Sequence, residues 1–78
     1  MALTTDDLIA YLKNELNLEE DIDAETELFS SGMLDSVAMM NVIGFVEEKA
    51  RIEVHPGDVT LENFDTVGRI VQLAESQA

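Results

Sequence analysis

Asp35-Ser36-Val37-Ala38-Met39-Met40-Asn41-Val42-Ile43-Gly44-Phe45-Val46 decides how this chain is read. At about 100° per residue, Met39, Val42, Ile43, Val46 and, one turn on, Ala50 share one side of a helix. The stretch is therefore expected to be helical over 37–50, with that stripe buried. Val37, Met40, Asn41, Gly44, Glu47 and Glu48 fall on the other side, facing water. Ser36 stands where an N-cap belongs. A hydroxyl there lies among free backbone N–H groups at the positive end of the helix dipole, a setting that favours phosphate. Val37 and Met40, two apolar residues on the wet side beside that serine, suggest a docking surface.

Upstream, Thr4 and Asp7 have the spacing of a capping box, and Leu3 and Leu8 that of a hydrophobic staple. Leu8, Ile9, Leu12 and Leu16 follow helical spacing, so a first helix is expected over 5–16, stopped by Asn17. Residues 17–35 have no long period, and a loop of that length needs anchors. Leu18, Ile22, Leu28 and Phe29 are the candidates, ahead of a turn at Ser30-Ser31-Gly32. Downstream, His55-Pro56-Gly57 breaks the chain. A short helical piece is expected over 58–64, pinned by Leu61 and Phe64. Asp65-Thr66 then caps a last helix in which Val67, Ile70, Val71 and Ala74 share a face, backed by Leu73. The expected fold is all-α: a four-helix bundle with a short third helix and a long loop between helices one and two, forming a single domain over 1–78.

Composition narrows the function. The chain has no cysteine and one histidine, which argues against disulfides and structural zinc. A net charge of −13 repels nucleic acid and anionic lipid and favours partners with basic patches. The longest uncharged run, Ser36 to Val46, is far short of a membrane span. Residues 1–7 lack the features of a signal peptide, so a cytoplasmic protein is expected. Asp21, Asp23 and Glu25 alternate as in a calcium loop, but Thr26 replaces the glycine needed at the sixth position; calcium response is a weak reading, and no metal site is assigned. With a lone His55 and no Ser-His-acid set, no catalytic residue is assigned and no enzyme is expected.

Leu28-Phe29-Ser30-Ser31-Gly32-Met33-Leu34-Asp35-Ser36-Val37, with Thr26-Glu27 before it, Glu47-Glu48 late in helix two and Asn63-Phe64-Asp65-Thr66-Val67 before the last helix, resembles the acyl carrier protein family over nearly the whole chain. The resemblance implies that a phosphopantetheinyl transferase attaches 4′-phosphopantetheine from coenzyme A to Ser36, and that Asp35 helps position that serine. The arm's thiol then carries a cargo as a thioester, supplying the thiol this cysteine-free chain lacks. Val37, Met40, Asn41, Gly44, Glu47 and Glu48 form the implied docking face for an acyl- or aminoacyl-loading ligase, synthase or acyltransferase, with the carrier acting as a monomer.

Val37 replaces the usual leucine, and Ala38 and Asn41 stand where fatty-acid carriers are often acidic. The glycine spacing in Gly32-Met33-Leu34-Asp35-Ser36 is similar to that of D-alanyl carriers. These departures favour a specialised carrier for fatty-acid, lipid or polyketide-type synthesis, with an aminoacyl carrier as the alternative. The reading from another class is an unmodified acidic helical interaction module, in which Ser36 is only a cap.

Overall fold

A computed structural model describes residues 3–77. Four α-helices appear among them: α1 (Thr5–Glu15), α2 (Ser36–Ala50), α3 (Leu61–Phe64) and α4 (Val67–Gln77). The expected all-α bundle with a long first loop and a stub for a third helix is what forms. α4 is the hub, packing against α1, α2 and α3. Its central place follows from its sequence, since Val67, Ile70 and Ala74 recur at helical spacing and are all buried.

The Thr4–Asp7 capping box is present in both directions, and Leu3 and Leu8 are both buried in the core cluster. α1 ends one residue earlier than expected, with Leu16 as C-cap and Asn17 left-handed at φ 57°. Leu8, Leu12, Leu28, Val42, Val46, Phe64, Val67 and Ile70 are fully buried. All four proposed loop anchors join this core: Ile22 and Leu28 are buried, and Leu18 and Phe29 pack against it half-buried.

Downstream of α2 the structure departs from expectation. The segment expected as one helical piece is split into a 3-10 turn, Pro56–Asp58, and the single turn of α3 capped by Thr60. Phe64 is fully buried, but Leu61 is 50% exposed and pins nothing. The reason is positional. Leu61 is the first residue of a one-turn helix, and Phe64 alone faces the core.

Candidate functional site

Ser36 is not the N-cap expected from the sequence. Asp35 takes that place in extended backbone, its Oδ1 accepting from the Ala38 N–H at 2.9 Å and its carbonyl from the Met39 N–H at 3.0 Å. α2 therefore begins at Ser36, one residue earlier than expected, and Ser36 is its first helical residue. With Asp35 in extended backbone, its carboxylate rather than the serine hydroxyl meets the Ala38 N–H. The consequence is chemical: the exposed Ser36 hydroxyl has no capping duty. The N–H groups of Ser36 and Val37 precede the first intrahelical bond, so they remain available to an anion on that hydroxyl.

The loop that delivers Asp35 is held from below by Asp65. Of the Asp65-Thr66 pair expected to cap α4, Thr66 does the capping, its Oγ1 accepting from the Arg69 N–H at 3.1 Å. Asp65 is buried and turns to the loop instead. Its Oδ1 accepts from the N–H groups of Phe29 and Ser30, both at 2.9 Å, and its Oδ2 from the Ser30 hydroxyl at 2.7 Å. The Ser30 N–H is the main cause of an Asp65 carboxyl held below the usual range; the Ser30 hydroxyl, the Phe29 N–H and Arg69 add to it, against burial. Two backbone bonds complete the clasp, Leu28 N–H to the Asp65 carbonyl at 2.6 Å and Gly68 N–H to the Ala24 carbonyl at 2.9 Å. Gly68 suits that approach, because a Cβ there would lie a tight 3.0 Å from the Ala24 carbonyl oxygen. Gly32, at φ 82°, turns the chain toward Leu34, whose N–H reaches the Leu28 carbonyl at 2.8 Å.

The front of α2 is largely as expected. Val37 is 66% exposed, Met40 73%, and Asn41, Gly44 and Glu48 are exposed beside them. Glu47 is the exception. It is half-buried, and its Oε2 accepts from the Val54 N–H at 2.9 Å, so it fastens the segment after α2 rather than facing water. No signal in the helical period foretells this, because the partner is a loop N–H. Sequence reasoning also missed Tyr11. Its hydroxyl donates to the Asn41 carbonyl at 3.1 Å, and its ring stacks on Phe45 with centroids 4.1 Å apart, fixing α2 against α1. Burial, with the Glu15 charge second, raises the Tyr11 pKa.

The acids at 21–25 do not converge. Asp23 Oδ1 accepts from the Glu25 N–H and the Thr26 hydroxyl, forming a closed turn; the Glu25 N–H is the larger cause of its lowered pKa. Among the described residues, no group of three potential ligands could hold a metal ion.

A family model described as "Phosphopantetheine attachment site" matches residues 6–74. The chain belongs to this family. Members of this family are carrier proteins rather than catalysts, and they bear 4′-phosphopantetheine covalently. Their interactions are with a phosphopantetheinyl transferase and synthase-type enzymes. The exposed serine at the start of α2 suits such a group: its hydroxyl is free and the adjoining N–H groups have no intrahelical acceptor. Comparison with curated proteins gives no match. Among the described residues no helix is long and apolar enough to cross a membrane.

Proposed function

We propose that Ser36 is the attachment residue and that the arm carries an acyl group, as a thioester, between enzymes of a specialised fatty-acid, lipid or polyketide-type synthesis. The observation that carries the attachment is the division of labour at the start of α2: Asp35 caps, and the Ser36 hydroxyl stays exposed and unengaged. In the transfer, Ser36 Oγ bonds to the phosphorus that bears pantetheine in coenzyme A. The bond from that phosphorus to the bridging oxygen breaks, adenosine bisphosphate leaves, and the hydroxyl proton passes to a base on the transferase. Asp35 positions the serine through the helix start, with its Oδ1 on the Ala38 N–H.

The specialised cargo is supported by the front of α2, where Val37, Met40, Asn41 and Gly44 present no charge. Partner enzymes meet this front by shape, with basic groups reaching Glu48 and the acidic loop. Incubating apo-protein with coenzyme A, magnesium and a broad-specificity phosphopantetheinyl transferase tests the attachment by intact mass. The wild type gains one phosphopantetheine and Ser36→Ala gains none. A bare wild type, or a modified Ser36→Ala, overturns it. Charging the holo-protein with acyl against aminoacyl groups then tests the cargo.

A further inference from the structure

Both carboxylate oxygens and the carbonyl of Asp65 are committed to the loop that ends at Ser36. From there hydrogen bonds run on toward the serine. The Phe29 carbonyl accepts from the Gly32 N–H at 3.1 Å and the Leu28 carbonyl from the Leu34 N–H at 2.8 Å, so 28–34 closes into a compact turn. Leu28 and Leu34 are both buried, which fastens its two ends. Asp35, the cap of α2, is the next residue, and Ser36 follows it. We infer that Asp65 is a positioning residue for the modification of Ser36. By gripping Phe29 and Ser30 it holds the turn in the arrangement that sets Asp35 in its capping geometry and presents the serine hydroxyl to the transferase. This role rests on the reading of Ser36 as attachment residue, and it sets how much of the carrier is competent to receive the arm.

Three observations carry it. Residues 28–35 form neither helix nor strand, so their backbone has no regular ladder of its own to hold it. Among the described residues, Asp65 is the one side chain from outside 28–35 that hydrogen-bonds to this segment. The Asp35 cap in turn needs extended backbone, φ −107° and ψ −174°, a conformation set by where the turn leaves Leu34. A carrier with a loosened turn holds its serine out of place for part of the time. A transferase that accepts only the ordered turn then binds more weakly in proportion to the ordered fraction. The chemistry, once the carrier is bound, is unchanged.

Transfer kinetics on apo-protein, with coenzyme A saturating and each variant shown to be folded by circular dichroism, test the role. Asp65→Ala removes the grip, whereas Asp65→Asn keeps an oxygen that can accept from the Phe29 and Ser30 N–H groups. Thr4→Ala, which loses the cap of α1, controls for destabilisation far from the turn. The expected result is a KM for the carrier raised about tenfold in Asp65→Ala with kcat held, and largely restored in Asp65→Asn. Thr4→Ala keeps the wild-type KM. Amide hydrogen exchange should quicken at Leu34 and Ala38 in Asp65→Ala relative to amides within α1. Where Asp65→Ala does not fold, Ser30→Ala, which loses only the 2.7 Å hydroxyl bond, carries the test with a KM raised about twofold. The role is overturned by a wild-type KM in the folded variant, by a fall in kcat alone, or by an equal rise in Thr4→Ala. A wild type that gains no mass overturns the attachment itself, a different failure from a modified protein indifferent to Asp65.

Discussion

Asp35-Ser36 before α2 and Asp65-Thr66 before α4 are the same kind of dipeptide, an acid followed by a hydroxyl, yet the two residues exchange roles. At α2 the acid caps, with Oδ1 on the Ala38 N–H and its carbonyl on the Met39 N–H. At α4 the hydroxyl caps, with Thr66 Oγ1 on the Arg69 N–H and its carbonyl on the Ile70 N–H at 3.1 Å. The frame is shifted by one residue. At α2 the shift leaves a free hydroxyl at the surface; at α4 it leaves a free carboxylate, which folds inward to hold the loop. Which residue caps decides which one is left for other work. In this chain one leftover is the candidate reactive group and the other is a structural clasp.

The largest effect expected from breaking this comparison is at the clasp. Asp65→Ala strands the part-buried donors on Phe29 and Ser30 and should cost roughly 1–3 kcal/mol in urea unfolding, more than the loss of about 1 kcal/mol for Asp35→Ala, which loses a cap. Equal losses would erase the distinction. Acid sharpens it further. Asp65 holds its proton less readily when folded, so the unfolded chain takes up more protons as pH falls below the ordinary aspartate value of about 4. The clasp's contribution is fully present above that value and fades as pH drops through the lowered folded pKa. The acid limb of a stability–pH curve should be shallower in Asp65→Asn than in wild type.

At the hydroxyls the contrast reverses. Thr66→Ala should cost about 1 kcal/mol as a lost cap, whereas Ser36→Ala should stay within about 0.5 kcal/mol of wild type. A Ser36→Ala protein as destabilised as Thr66→Ala would mean that Ser36 does carry capping weight. Gly44→Ala on the exposed front has open space around the new Cβ and should raise stability by up to about 1 kcal/mol. A loss there would point to a backbone constraint. The smallest effect is expected from salt. Among the described residues no lysine or arginine forms a salt bridge with a carboxylate, so the 17 acids outnumber the 4 bases without close pairing. Moderate sodium chloride should raise the melting temperature by a few degrees, visible by differential scanning calorimetry.

Much of this was legible in the residues. The helical stripes of α1 and α4, the Thr4–Asp7 box and the anchors Leu18, Ile22, Leu28 and Phe29 all act through local period or through plain burial, and each is where the pattern put it. Ser36, Val37 and Met40 were readable as an exposed group for the same reason. The capping frame was not readable, because both Asp and Ser are good N-caps and neighbouring positions compete with similar energies. Asp65 and Glu47 were misassigned because their partners, Ser30 and Val54, lie in irregular backbone, where no period announces a contact.

The sequence by itself determined the four helices, the apolar stripes that bring them together and the hydroxyl that waits at the start of α2. Those follow from short-range spacing and from hydrophobic burial, which every residue reports locally. Only the tertiary structure decided that Asp35 caps and that Asp65 reaches 35 residues back to grip the loop. Those depend on where non-neighbouring backbone donors come to rest, and that is fixed only once the core has closed around Leu28 and Phe64.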